Sequence, residues 1–152
     1  MALTKLNSLS MPTGSVLQVV QFTEATDYAT TSTSFTQGPQ TNTFTLTNSS
    51  NKVLVLVNCL MYATRSTSGF GRVAIYRGSI ASGTRLTQGS EPQFGATDSG
   101  SQFYSITNMQ YLDTPNGNTT YSIGFNKHSG ATNANIVGSL GNTHITLMEI
   151  AG

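Results

Sequence analysis

Hydrophobic and polar residues alternate along several short stretches of the chain, with the period of a β-strand rather than of a helix. The strongest stretch is "KVLVLVNCLMYATR", residues 52–65. Both of its sets of alternate positions are mainly apolar. The sets are Val53, Val55, Val57, Cys59 and Met61, and Leu54, Leu56, Asn58, Leu60 and Tyr62. A strand that is apolar on both faces is typical of the centre of a sheet, so we expect a central strand here.

Shorter stretches of the same kind recur along the chain and are bounded by Gly, Pro, Asn and Ser. They cover residues 16–22, 28–37, 42–47, 72–78, 84–88, 101–113, 119–127 and 134–140, and a closing strand follows Gly141 and Asn142. A chain of 152 residues suits one domain. We therefore predict an all-β, jelly-roll-like, two-sheet antiparallel β-sandwich over residues 15–152, built from about eight to ten short strands.

The turn "TPNGN", residues 114–118, separates two of the predicted strands. Asn116 and Gly117 both tolerate the positive φ that a tight turn requires. We therefore predict a β-hairpin that joins residues 101–113 to residues 119–127.

The closing stretch "NTHITLMEIAG", residues 142–152, contains one of the two histidines and one of the six acidic residues. Successive side chains of a strand point to opposite faces. His144 therefore shares a face with Met148, whereas Glu149 lies on the other face with Leu147. The two polar residues cannot act together within this strand, and we expect the strand to serve packing.

Residues 1–14 differ from the rest of the chain and are interpreted as a short N-terminal arm that Pro12 and Gly14 end. Its apolar residues recur about every third position, and they need a surface to cover them. They are the proposed arm and assembly contacts Leu3, Leu6, Leu9 and Met11. Docking on the same chain and docking on a neighbouring subunit are both open.

Charged residues make up only 9% of the chain, and the net charge is +1. Nucleic acid is therefore not an expected partner, because phosphate binding needs several clustered Lys or Arg residues. So few charges give weak repulsion between molecules, which favours association into a homo-oligomer. The chain has no apolar stretch long enough to cross a bilayer and no apolar leader at its start, so neither membrane insertion nor a signal peptide is expected.

The residues that enzymes and metal sites need are few and badly spaced. Cys59 lies among valines and leucines, where a thiolate is disfavoured. His128 and His144 are sixteen positions apart and match no metal-binding motif. We expect no catalytic residue, no metal and no cofactor. A depolymerase, with acidic residues converging on a groove, is the least favoured alternative.

Four of the seven basic residues fall within one short span, next to an aromatic residue. This potential surface-binding patch comprises Arg65, Phe70, Arg72, Arg77 and Arg85. It would meet an acidic neighbour in a particle or an anionic glycan; the alternative is a set of solvated strand ends. Aromatic residues in or beside loops offer a second route to sugar binding, although the chain has no Trp.

The arm and the stretches "MPTGSVLQVVQF", "NKVLVLVNCLMYA", "GRVAIYRG", "YLDTP", "TTYSIGFN" and "ITLMEIAG" resemble a family of bacteriophage virion proteins. The family is familiar from marine and cyanobacterial phages, as small structural proteins or as terminal domains of tail fibres. The resemblance runs from about Met11 to Gly152, and "LMEIAG" is its most distinctive part.

This resemblance implies a jelly-roll-like sandwich, often a trimer, exposed on a virus particle and made in the host cytoplasm, with no catalytic residue to carry over. The short arm favours a capsid decoration or cement protein over a fibre protein with a long shaft. The alternative is a receptor- or glycan-binding tip module that docks on a separate tail-fibre protein.

Overall fold

The computed structural model describes residues 11–65, 69–96, 103–128 and 130–152, which form eleven strands. The strands are β1 (Val16–Glu24), β2 (Tyr28–Thr30), β3 (Thr36–Gln40), β4 (Lys52–Arg65), β5 (Gly69–Arg77), β6 (Thr84–Arg85), β7 (Gln93–Ala96), β8 (Phe103–Asp113), β9 (Tyr121–Lys127), β10 (Ala131–Ile136) and β11 (Thr143–Ile150). All pairings are antiparallel and fall into two sheets. The predicted all-β sandwich is confirmed.

The six-stranded sheet is built around β4, as the alternation predicts. One edge of β4 pairs with β11 through residues 52–58 and with β10 through residues 61–65. The other edge pairs with β8 along residues 53–63. Strand β1 extends the sheet beyond β11, and β2 extends it beyond β10. The longest strand therefore lies at the centre of the sheet.

The five-stranded sheet has the order β3, β9, β5 and β6, and β7 also pairs with β5. The core lies between the two sheets. Its largest fully buried side chains include Tyr121, Ile123 and Phe125 of β9 and Met61 of β4. Full burial of an apolar side chain of this size contributes roughly 1.5–3 kcal/mol to folding, so the buried rows of β4 and β9 supply much of the stability.

The predicted hairpin is wrong. Asn116 has a φ of 60° and Gly117 a φ of 155°, so the turn has the expected positive φ at both positions. However, β8 pairs with β4 in the six-stranded sheet, and β9 pairs with β3 and β5 in the other sheet. The turn carries the chain from one sheet to the other because β8 and β9 bury their apolar sides against different layers.

Three smaller expectations also change. Residues 42–47 contribute only an isolated bridge between Phe44 and Thr119 rather than a strand. The stretch at residues 28–37 divides, with β2 in one sheet and β3 in the other. Strand β7 forms between the predicted strands at residues 84–88 and 101–113, where no strand was expected, and it buries Phe94 at 2% exposure.

Candidate functional site

The face of the six-stranded sheet that points away from the core, called the outer face below, carries an apolar row across four strands. The strand registers place Val19 of β1 beside Met148 of β11, Met148 beside Leu54 of β4, and Leu54 beside Leu112 of β8. Val19 and Leu112 are 54% and 52% exposed, and Leu54 and Met148 are half-buried. This apolar row is a continuous hydrophobic strip open to solvent.

A second apolar group lies further along the outer face. Leu60 pairs with Ile106, which is 68% exposed, and Leu140 lies on the same shallow depression at 70% exposure. The next pair along the strands is Tyr62 and Tyr104, whose ring centroids are 4.9 Å apart. The outer face is therefore hydrophobic at both ends of these strands, an unusual amount of apolar surface for an isolated molecule.

Between the apolar row and the second group lies a groove of about 550 Å³ that both apolar and polar side chains line. Its side chains bond one another across the strands. Gln21 Nε2 donates to Thr146 Oγ1 at 3.2 Å, and Asn58 Nδ2 donates to Asn108 Oδ1 at 2.6 Å. His144 Nδ1 lies 3.2 Å from Thr23 Oγ1. These hydrogen bonds hold the polar side chains of the groove in place.

The outer face is also free of charge over this area. The cross-strand rows from Val19 to Tyr104 contain no Asp, Glu, Lys or Arg among the residues that the structure describes. Lys52, beside Ile150, lies at the margin. A face of this kind brings no like charges together when it meets a copy of itself.

The root of the predicted arm is placed beside the end of β11. Gly14 N donates to Ala151 O at 2.9 Å, and Ser15 N donates to Pro12 O at 3.0 Å. Gly14 has a φ of 88°, the left-handed conformation that glycine adopts without strain. Met11 is half-buried. Leu3, Leu6 and Leu9 lie outside the described residues.

The side chains of the predicted basic patch that the structure describes do not share one site. Arg77 Nη1 lies 3.3 Å from Asp113 Oδ1 and donates to Thr114 O at 3.0 Å. The Phe70 ring stacks on His128, with 4.2 Å between centroids. The side chain of Arg65 lies outside the described part of the structure.

Arg72 and Arg85 do come together, through a residue that the sequence interpretation missed. The Phe35 ring centroid lies 5.9 Å from the Arg72 guanidinium carbon and 5.1 Å from that of Arg85. Phe35 also meets Tyr76 edge-on at 6.0 Å. Phe35 stands in a Thr- and Ser-rich stretch far from both arginines, so no local signal indicates this cluster.

The residues considered for catalysis remain apart. Burial raises the pKa of the Cys59 thiol to about 12, which removes it as a nucleophile near neutral pH. His144 lies on the outer face, whereas Glu149 is fully buried on the opposite face, so their predicted separation is confirmed. Within the described ranges, no group of three His, Cys, Asp or Glu side chains is arranged to hold a metal ion. No helix long and apolar enough to cross a membrane occurs in the same ranges.

No protein-family model and no curated protein matches the chain. Among solved structures, it is similar to that of the infectious bursal disease virus Gt strain, with a TM-score of 0.37 and 13% identity over 89% of this chain and 38% of that one. For the infectious bursal virus derived T=1 particles the TM-score is 0.38 and the identity 12%, over 89% of this chain and 36% of that one. For the VP2 subviral particle of infectious bursal disease virus the TM-score is also 0.38 and the identity 12%, over 89% of this chain and 38% of that one. The chain thus spans less than two fifths of these chains, and at these values the likeness assigns it neither a family nor a function.

Proposed function

We propose that the chain is a non-enzymatic structural protein of a phage particle, a capsid decoration or cement protein that forms a homotrimer on the exposed surface of the virion. The observation that carries this proposal is the neutral outer face with its apolar row, Val19, Met148, Leu54 and Leu112. The resemblance of the sequence to phage virion proteins supports the choice of particle. Its partners are other copies of the chain and capsid or tail proteins, without nucleic acid or membrane insertion.

The symmetry of such an assembly explains why the outer face is suited to it. In a trimer, any side chain close to the axis faces its own two copies, so a charge there is repelled by the same charge on each neighbour. Leu112 and Val19 instead gain by burial, roughly 25 cal/mol for each Å² removed from water. We place the outer faces of the three copies toward the trimer axis, which leaves the five-stranded sheets turned outward.

The arm contributes the attachment in this proposal. Its root is held by the Gly14 to Ala151 hydrogen bond at the end of the sheet where the apolar row begins. Three arms on one trimer reach a particle together, and binding through several weak contacts gains from avidity.

Electron cryomicroscopy of the virus particle tests the location. We expect density for a trimeric β-sandwich at regular positions on the capsid. A particle whose capsid and tail both lack this protein would contradict a virion role.

The second candidate function is a receptor- or glycan-binding tip module of a tail fibre. The Arg72, Phe35 and Arg85 cluster favours it, because an aromatic ring beside guanidinium groups suits an acidic sugar. Density at the end of a tail fibre, together with binding to host cells, would favour this candidate over capsid decoration.

A further inference from the structure

Arg72, Arg77 and Arg85 lie on strands of the five-stranded sheet, and they differ in whether a carboxylate pairs with their guanidinium group. Arg77 is paired with Asp113, and Arg85 Nε lies 3.3 Å from Glu91 Oε1. The half-buried Arg72 guanidinium has neither a hydrogen bond nor an ion pair within the described part of the chain, and its Nε is buried without a partner. A partly buried cation in this state gains free energy from any carboxylate that reaches it.

The residue directly opposite Arg72 on the neighbouring strand holds the complementary group. Asn126 of β9 pairs with Arg72 of β5, is only 1% exposed, and has a buried Oδ1 without a partner among the described residues. Its Nδ2 donates to Thr33 O at 2.5 Å, which fixes the amide so that Oδ1 is the free acceptor. Arg72 Nε and Asn126 Oδ1 are thus a buried donor and a buried acceptor on directly opposite residues, and a hydrogen bond between them would satisfy both. The two terminal nitrogens of the guanidinium would then remain for a ligand.

Phe35 supplies an apolar surface next to this guanidinium. Tyr76 meets its ring edge-on, and Arg85 lies over the ring with its charge already balanced by Glu91. The cluster therefore has one unmatched positive charge beside one aromatic ring. A sugar that carries a carboxylate matches both features, because its carboxylate binds a guanidinium in a two-pronged manner and its C–H face packs on an aromatic ring.

We propose that Arg72 and Phe35 form a binding site for a carboxylate-bearing sugar, with Asn126 as the residue that positions Arg72. This site deepens the second candidate function and is independent of assembly through the outer face. It takes a saccharide of the uronic or sialic acid type in preference to a neutral one. An acidic peptide or a neighbouring subunit would supply the carboxylate without a sugar ring to contact Phe35.

The test is a binding titration of the full chain, followed by nuclear magnetic resonance, with three probes: methyl glucuronide, methyl glucoside, and N-acetylglutamate. Methyl glucuronide should bind, and each of the other two should bind about tenfold more weakly, because each lacks one of the two matched features. Arg72→Gln should weaken methyl glucuronide binding by about tenfold, and Arg72→Lys should recover only part of the loss because it lacks the planar fork. Lys127→Gln is the matched control, since Lys127 is a cation of the same sheet as Arg72 whose Nζ already donates to Ala131 O of β10, and it should bind as the wild type does.

Equal binding of methyl glucuronide and methyl glucoside, or an Arg72→Gln chain that binds like the wild type, would overturn the site. N-acetylglutamate binding as tightly as methyl glucuronide would overturn the sugar assignment and favour an acidic protein partner. Binding with Phe35→Leu should fall for methyl glucuronide and stay unchanged for N-acetylglutamate. The oligomeric state of Arg72→Gln, measured alongside, should be that of the wild type, so a failure here leaves the assembly proposal standing.

Discussion

The Asn51 side-chain amide donates a 2.7 Å hydrogen bond to the carboxylate of Glu149, which is fully buried. The same carboxylate accepts from the Thr47 backbone N at 2.7 Å, from Thr47 Oγ1 at 2.8 Å and from Gln18 Nε2 at 2.6 Å. Asn51 Oδ1 in turn accepts from Gly152 N at 3.1 Å. Neutral donors from β1 and from the segment that precedes β4 thus surround a buried negative charge. These hydrogen bonds tie both segments to β11.

Stability should fall on acidification through the range in which Glu149 takes up its proton. Burial alone would raise the pKa of Glu149, but the hydrogen bonds from Asn51, Thr47 and Gln18 together hold it below the ordinary 4.5. The ionised carboxylate therefore stabilises the fold fully above about pH 4.5, and this contribution is lost as the pH falls through the lower folded-state pKa. Urea unfolding measured across this range checks the expectation.

Glu149→Gln isolates the charge in that experiment. Its amide presents N–H groups to donors, so at neutral pH the free energy of unfolding should fall by about 2 kcal/mol. The acid-dependent loss should also become smaller. Glu24→Gln is the control, because Glu24 lies near the surface and accepts from the backbone N and Oγ1 of Thr26, two positions along the chain. If Glu149→Gln lost stability on acidification as steeply as the wild type, the role assigned to the carboxylate would be wrong.

Packing of β7 on β5 makes Gly71 intolerant of any side chain. A Cβ at Gly71 would overlap the ring of the buried Phe94, whereas one at Gly141 would lie 3.7 Å from Leu60 Cδ2, an ordinary contact. Gly71→Ala should lower the free energy of unfolding by about 1–3 kcal/mol through overpacking. Gly141→Ala is the matched control and should change it by less than about 0.5 kcal/mol. Equal effects in chemical denaturation would contradict the packing described here.

The Cys59 thiol should resist modification while the protein is folded. Its side chain is fully buried, and its pKa of about 12 leaves almost no thiolate at mildly alkaline pH. A thiol reagent should therefore label the native chain only at the rate of unfolding and label the urea-unfolded chain at once. Rapid stoichiometric labelling of the native protein would show that Cys59 is accessible.

Deleting residues 1–11 should leave the sandwich folded and abolish binding to virus particles. Folding should survive because the hydrogen bonds of Gly14 and Ser15 with Ala151 remain. A variant with Leu3, Leu6 and Leu9 replaced by Ser tests the apolar contacts with the arm length kept. Particle sedimentation measures both, and normal coating by the deleted protein would remove the arm from the proposal.

The alternation along residues 52–65 predicted both the central strand and the side chains on each face, because a two-residue period is a local property. The turn at Asn116 and Gly117 shows where this reasoning stops. Positive φ at these residues is a local preference, but the sheet that β9 joins depends on which layer can bury Tyr121, Ile123 and Phe125.

The candidate sites show the same limit. The sequence placed Glu149 opposite His144, yet the donors to its carboxylate stand 98 to 131 positions earlier in the chain. The sequence indicates Arg72 as a surface residue because several arginines lie near it in the chain. Its contact with Phe35 and its pairing with Asn126 arise only when β5 and β9 form one sheet. Contacts between distant segments depend on tertiary packing, which no short motif encodes.

The oligomeric state measured by light scattering tests assembly through the outer face most directly. The wild type at micromolar concentration should give about 48 kDa, three times the chain mass of 16.1 kDa. The double variant Val19→Lys and Leu112→Lys should give the mass of one chain, because both side chains are more than half exposed and six added charges would face one another in the trimer. Thr84→Lys, an exposed strand position of the other sheet, should remain a trimer. A stable 16.1 kDa wild type, or a double variant with the wild-type mass, would contradict the proposal.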